Sequence, residues 1–84
     1  MTDRIRVLVY MLEHGSITGI QAIHDLHTTE LRKRVSELRQ NGIPVKDEWL
    51  DVTRADGVKT RVKRYFLPYE VMEQYRRGEY TWQK

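Results

Sequence analysis

The stretch "SITGIQAIHDLHTTELRKRVSELRQNG", residues 16–42, predicts two short helices joined by a tight turn. In the first helix, Thr18 and Gln21 have the three-residue spacing of a capping box. The apolar residues of this helix, which recur at helical spacing, are Ile20, Ile23 and Leu26. "SIT" before it is long enough for one strand-like step, and His27 after it is a turn residue.

The second helix of this stretch begins at Thr28, which can cap it, and ends at the strong stop Asn41-Gly42. Its apolar side is formed by Leu31, Val35 and Leu38. Two capped helices separated by a tight turn are the order of a helix-turn-helix.

A longer helix precedes this stretch. Thr2 can cap it, and Gly15 suits the left-handed residue that ends it. The residues that keep the i, i+3, i+4, i+7 spacing are Ile5, Leu8, Val9 and Leu12.

After Gly42 the pattern changes. "IPVKDEWLDVT" and "VKTRVKRYFL" are rich in β-branched and aromatic residues and predict a β-hairpin, with Asp56-Gly57 as a type I′ turn. Two inner faces are possible, because a one-residue slip exchanges them. One consists of Val45, Trp49, Val62 and Phe66, and the other of Leu50, Val52, Tyr65 and Leu67.

A fourth, short helix is expected from Pro68 to the stop at Gly78, with Val71, Met72 and Tyr75 on one side. We therefore divide the chain into residues 1–67 and a C-terminal helix and tail, residues 68–84. The tail is aromatic, and aromatic residues are enriched at interfaces, so a homodimer through Tyr75, Tyr80 and Trp82 is one expectation. The alternative, which we favour for Tyr75, is that these rings cover a small core.

Length and composition limit the possible functions. Eighty-four residues make one domain with a small core. No cysteine is present, and the longest apolar stretch, "IRVLVYML", contains Arg6 and is far shorter than the ~20 residues needed to cross a bilayer. We expect a cytoplasmic protein without a membrane contact.

Catalytic and metal-binding motifs are not recognisable in the sequence. Neither serine lies in a nucleophile elbow, and a glycine-rich phosphate loop is lacking, so we expect no enzyme. His24 and His27 could meet on one helix face, but a zinc site normally needs more ligands. The carboxylates Asp47, Glu48 and Asp51 are interpreted as ion-pair partners of neighbouring Lys and Arg residues. No metal and no cofactor are expected.

Positive charge is concentrated in two blocks, although the net charge is only +3. Residues 28–41 contain four basic and two acidic residues, a net +2, and residues 53–67 contain five basic and one acidic, a net +4. The first block lies on the second helix of the helix-turn-helix and the second on the hairpin. The basic surface is therefore patterned rather than uniform.

The second helix of the motif presents a polar side opposite its apolar residues. The outward residues are Thr29, Lys33, Ser36 and Gln40, with Arg32 and Arg39 along one flank. Such side chains can hydrogen-bond phosphates and base edges in the major groove of DNA. The alternative is the solvated face of an ordinary amphipathic helix.

Basic residues also alternate along the hairpin. Lys59, Arg61 and Lys63 share one face, and Arg54 lies across the turn. Like charges side by side on a sheet are unfavourable unless an anion is their partner, although lysines also protect edge strands from aggregation. With a helix-turn-helix, such a hairpin can reach the DNA backbone or minor groove beside the helix that enters the major groove.

The residues "GSITGIQAIHDLHTTELRKRVSELRQNGIPV", followed by a basic hairpin ending near Tyr65, resemble a winged helix-turn-helix, and more narrowly the small helix-turn-helix proteins of bacteriophages and prophages. The resemblance covers about residues 3–67. It implies an α+β winged helix-turn-helix: a three-helix core, a β-hairpin wing and a short C-terminal helix. The sequence departs from the pattern with His27 and Thr28, where a glycine is common.

The resemblance implies double-stranded DNA as the partner, in the cytoplasm of a bacterial host cell. By position it implies groove contacts from Thr29, Arg32, Lys33 and Ser36, and wing contacts from Arg54, Lys59, Arg61 and Lys63. The full candidate DNA-binding set is Thr28, Thr29, Arg32, Lys33, Ser36, Arg39, Gln40, Arg54, Lys59, Arg61 and Lys63. The implied role is transcription regulator or accessory factor in replication or excision. The alternative is a protein-interaction module of the same fold that binds a host or phage protein.

Overall fold

The computed structural model describes residues 2–78, in which four helices and a three-stranded antiparallel sheet form the predicted α+β winged helix-turn-helix architecture. The elements in chain order are α1 (Asp3–His14), β1 (Ser16–Thr18), α2 (Gly19–Leu26), α3 (Leu31–Gln40), β2 (Lys46–Thr53), β3 (Lys59–Phe66) and α4 (Tyr69–Arg76). The strand order is β1-β3-β2, so β3 is central and β2 and β3 form the hairpin.

The predicted ends of the first two helices are confirmed. Thr2 Oγ1 accepts a hydrogen bond from the Ile5 N–H, and Gly15 has the left-handed φ of 88°. At the start of α2, the Gln21 N–H donates to Thr18 Oγ1 at 3.3 Å and the Thr18 N–H donates to Gln21 Oε1 at 3.0 Å. This reciprocal pair is the capping box that the sequence predicts.

The turn between α2 and α3 differs from the prediction at Thr28. Thr28 is not the N-cap of α3, because Glu30 occupies that position without a side-chain capping bond. Thr28 is instead buried, and its Oγ1 accepts from the Glu30 N–H at 3.3 Å. His27 takes the left-handed conformation itself, with φ 56° and ψ 34°, and thereby ends α2.

The hairpin turn is longer than the predicted type I′ turn. The Gly57 N–H donates to the Arg54 carbonyl at 2.9 Å, and the Arg54 N–H donates to the Val58 carbonyl at 2.8 Å. Gly57 has a φ of 85°, whereas Asp56 is not among the positive-φ residues of the described chain. A type I′ turn needs a positive φ at both central residues, so this connection is a three-residue loop with its left-handed glycine in the last position.

Neither of the two proposed inner faces of the hairpin is correct, since each combines residues from both sides of the sheet. Leu50 pairs with Val62, and Asp47 pairs with Tyr65, so Val62 does not share a face with Trp49. The hairpin residues in the core are Val45, Tyr65 and Leu67. β1 completes the sheet at this end, with Ile17 opposite Tyr65, a pairing that the sequence did not predict.

The core lies between α1, α3 and the base of the sheet. For α1 and α2, the residues buried in it differ from the predicted ones. In α1 the fully buried residues are Val7, Leu8 and Met11, of which only Leu8 was expected. In α2 Ala22 is buried, while Ile20 and Ile23 are 62% and 49% exposed. The side of α2 that carries the isoleucines is therefore left outside the core.

The fourth helix packs on the same core. Val71 and Tyr75 are buried in it, and Met72 packs against it. Tyr75 therefore covers the core and is not free to form the dimer contact that was one expectation. Tyr80 and Trp82, the other two residues of that expectation, lie outside the described residues.

Candidate nucleic-acid interface

Helix α3 presents most of the predicted polar residues to solvent. Leu31, Val35 and Leu38 are buried at 6%, 1% and 1% exposure, which fixes the rotation of the helix. The candidates that are exposed on the outer side are Thr29, Arg32, Lys33, Ser36 and Gln40. Two residues of the predicted set, Thr28 and Arg39, have other roles.

Thr28 is 8% exposed, and its hydroxyl oxygen is used within the turn by the Glu30 N–H. Its side chain stabilises the connection between α2 and α3. The expectation that Thr28 contacts DNA is therefore corrected: the residue belongs to the turn and not to the outer face.

Arg39 connects α3 to the hairpin. Its Nε donates to the Val45 carbonyl at 3.0 Å, and its Nη2 donates to Asp47 Oδ2 at 2.9 Å. This hydrogen bond is the main cause that holds the pKa of Asp47 below its ordinary value, and the positive charge of Lys63 adds to it. Arg39 thus fixes the position of the wing relative to α3, a role that helical periodicity could not reveal because Asp47 lies outside α3, on β2.

Arg34 is held along α3 by two acidic residues. Its guanidinium nitrogens lie 3.5 Å from carboxylate oxygens of both Glu30 and Glu37. These pairs occupy the flank of α3 opposite Arg39. The outward side between the two flanks therefore keeps Lys33 and Ser36 exposed.

The wing carries its predicted basic face. Lys59, Arg61 and Lys63 alternate along β3 and share one side of the hairpin, which we call the basic wing face. Acidic residues partly compensate two of these charges: Asp51 lies 3.6 Å from Arg61 Nε, and Asp47 lies 4.0 Å from Lys63 Nζ. Arg54, at the turn, pairs with Asp56 at 3.3 Å.

The acidic residues of β2 are ion-pair partners, as interpreted from the sequence. Asp47 and Asp51 pair on the basic wing face, while Glu48 pairs with Arg64 on the opposite side of the hairpin. The carboxylates are thus divided between two faces and bound to cations. Within residues 2–78 there is no group of three His, Asp or Glu side chains with the geometry of a metal site.

Trp49 is a surface residue that the sequence reasoning assigned to a candidate core face. It is 55% exposed and lies opposite Lys63 on the basic wing face. The Lys63 Nζ and the Arg61 guanidinium carbon lie 5.1 and 5.3 Å from its ring centre. The available signal was its period-2 alternation with Asp47 and Asp51, which places it on the polar side of the strand.

An apolar groove of about 730 Å³ separates the wing from the helix-turn-helix. Its apolar walls are the exposed Ile20 and Ile23 of α2 and the hairpin residues Leu50, Val52 and Val62. Arg32 of α3 and Lys63 of β3 contribute positive charge to its lining. The groove explains where the isoleucines of α2 point, which the sequence had assigned to the core.

No helix in the described part of the chain combines the length and apolar character that crossing a bilayer requires.

Comparison with known proteins agrees with this architecture. A search of curated proteins finds no match for the chain. A family model described as "winged helix-turn-helix domain" matches residues 3–70, which include the helix-turn-helix, the hairpin and the first residues of α4. Domains of this family are typically non-enzymatic and DNA-binding. Because the match covers most of the chain, this protein belongs to the winged helix-turn-helix domain family.

Proposed function

We propose that the protein binds double-stranded DNA with α3 in the major groove and the hairpin as a wing on the neighbouring backbone or minor groove. Its role would be regulation of transcription, or assistance in replication or excision, in a bacteriophage or prophage. General DNA binding is the property typical of the family, and the proposal adds the docking mode and the role.

The observation that carries the proposal is the tie from Arg39 to Asp47 and to the Val45 carbonyl. It joins one flank of α3 to the basic wing face, which supports the proposal that both basic blocks of the sequence contact the same DNA. A helix supplies base contacts and a wing supplies phosphate contacts in such an arrangement.

Individual roles follow from exposure and chemistry. Lys33 can donate to guanine acceptors, and Ser36 or Gln40 can hydrogen-bond base edges. Thr29 and Arg32, near the start of α3, are suited to phosphate oxygens. On the wing, the charge of Lys59 is the most available to a phosphate, because among residues 2–78 no acidic side chain lies within salt-bridge distance of Lys59.

Selection of bound duplexes from a random library at physiological salt tests the proposal. Enrichment of one motif is the expected result. A palindromic motif with half-sites ~34 Å apart would also indicate that two copies bind together. Retention of DNA without any motif would reduce the role to an architectural one, and no retention would overturn the proposal.

One observation favours a second candidate function, a protein-interaction module. The groove beside α2 has exposed isoleucines on one wall and Arg32 and Lys63 in its lining, which suits a partner with apolar and acidic side chains. If the library retains no DNA, Ile20→Asn and Ile23→Asn become the variants to compare in partner capture, with loss of a specific partner as the expected result.

A further inference from the structure

Trp49 is an exposed aromatic ring with two cations close to it. On the basic wing face it lies directly opposite Lys63 and diagonal to Arg61, and both cations are close to its ring. With 55% of its surface exposed, Trp49 is also absent from the core cluster. Among residues 2–78 the ring therefore contacts the two cations but takes no part in the core.

The position of Trp49 relative to α3 follows from a chain of contacts. Arg39 of α3 binds one carboxylate oxygen of Asp47, and Lys63 Nζ lies 4.0 Å from the other. Lys63 then lies over Trp49. The indole is thus two residue pairs further out along the wing than the contact with α3, on the same side of the hairpin.

The ligand of such a ring must satisfy both an aromatic surface and adjacent positive charges. A nucleobase stacks on an indole, while its phosphates neutralise the flanking ammonium and guanidinium groups. A paired and stacked base offers only its edge, so stacking on Trp49 needs a base that is unpaired or displaced from the helix.

We propose that Trp49 stacks on an unpaired or unstacked nucleobase beside the duplex held by α3, so that the protein prefers duplexes with such a base at the wing. This inference rests on the proposed function, since it assumes that α3 binds the adjoining duplex. It assigns the wing a second task besides neutralising phosphates.

The test compares two sets of probes: a paired duplex containing the motif selected for α3, and the same duplex with one unpaired thymine moved stepwise through the flank. Wild-type protein should bind best to the probe whose extra base lies at the wing. Trp49→Ala should lose roughly 5- to 150-fold of that preference, the range expected for stacking of one base on an aromatic ring.

Two further variants control this measurement. Trp49→Phe keeps an aromatic surface and should retain part of the preference. Tyr69→Ala removes a ring that is 72% exposed, on α4 and outside the wing, and should leave the preference unchanged. The chain has two tryptophans, so in a Trp82→Phe background the fluorescence of Trp49 alone should be quenched when the preferred probe binds.

The outcomes separate this inference from the proposed function. Tight binding of the paired duplex with no gain for any unpaired base would overturn the stacking role and leave duplex binding intact. An equal loss on all probes from Trp49→Ala would also overturn it, because the indole would then contact the backbone. Absence of binding to every probe would overturn both.

Discussion

Arg39 Nη2 lies 2.9 Å from Asp47 Oδ2 and joins the end of α3 to the first residues of β2. The same guanidinium donates through Nε to the Val45 carbonyl, so a backbone group and a side chain of the hairpin are held together. Two hydrogen bonds from one planar guanidinium to two different groups fix direction as well as distance. The angle between α3 and the wing therefore depends on an ion pair as well as on apolar packing.

The pH dependence of stability should report this pair. The pKa of Asp47 is lowered, mainly by the hydrogen bond from Arg39, so the folded state favours the ionised carboxylate. Its stabilising effect is present above the ordinary aspartate pKa of ~3.9 and is lost as the pH falls through the lower pKa of the folded protein. The melting temperature of wild-type protein should therefore fall more steeply below about pH 4 than that of Asp47→Asn.

Asp51→Asn is the matched control for this measurement. Asp51 lies on the same strand as Asp47, and its side chain is 89% exposed. Its melting temperature should follow the wild-type curve through the acid range. Parallel curves for wild type and Asp47→Asn would show that the Arg39 contact does not favour the ionised form.

The salt dependence of DNA affinity should identify the wing residues that contact phosphates. For a protein that neutralises Z phosphates, the logarithm of the affinity falls with the logarithm of salt concentration with a slope near −0.9Z. Lys59→Ala and Lys63→Ala should each reduce the steepness by about one. Asp51→Asn, which releases Arg61, should instead raise the affinity at every salt concentration. If both lysine variants keep the wild-type slope, the wing does not contact the backbone at these residues.

The base preference should depend on the outward side of α3. Lys33→Ala and Ser36→Ala should each cost ~1 to 3 kcal/mol on the selected motif and relax the preference at one position of it. Lys59→Ala provides the comparison, because a phosphate contact weakens all sequences similarly. The measurement is a competition between the motif and its single-base variants, and uniform losses from all three substitutions would exclude base readout by α3.

Thr28 should matter for stability and not for DNA affinity. Thr28→Val removes the oxygen that accepts from the Glu30 N–H, a bond whose loss should cost about 0.5 to 1.5 kcal/mol in chemical denaturation. The affinity of the folded protein for its motif should stay within twofold of wild type. A large loss of affinity with unchanged stability would return Thr28 to the interface.

Local sequence signals predicted most of the fold, because caps and apolar periodicity depend on neighbours in the chain. Thr18 and Gln21 form the expected box, and Leu31, Val35 and Leu38 form the expected buried side of α3. The prediction of the two hairpin faces was wrong for a non-local reason. Apolar residues occur on both sides of this hairpin, so only the observed register decides which of them enter the core.

The candidate site was harder to predict from the sequence than the fold. The exposure of Lys33 and Ser36 follows from helix geometry, but the ion pair between Arg39 and Asp47 depends on how the hairpin is placed relative to α3. The exposure of Trp49 depends likewise on the hairpin extending beyond the core. Both are tertiary features; spacing gives no signal for the Arg39 contact, and for Trp49 the alternation with Asp47 and Asp51 indicates the side of the strand but not that the ring lies outside the core.

His27 supplies the last prediction, because it holds a left-handed conformation with φ 56° at the end of α2. Its N–H donates to the Ile23 carbonyl and the Thr28 N–H donates to the Ala22 carbonyl, both at 3.1 Å, a pattern that usually has glycine in this position. The left-handed conformation costs a residue with a side chain about 1–2 kcal/mol, which a glycine at this position would recover. Glycine also makes the unfolded chain more flexible, which reduces the stability gained by roughly 0.5–1 kcal/mol. His27→Gly should therefore raise the free energy of unfolding by up to ~1 kcal/mol and the melting temperature by a few degrees.

His24→Gly makes the same replacement inside α2 and should lower stability by roughly 0.5–1 kcal/mol. Denaturant titration of the two variants distinguishes these opposite signs, and equal losses from both would contradict the strain assigned to the turn.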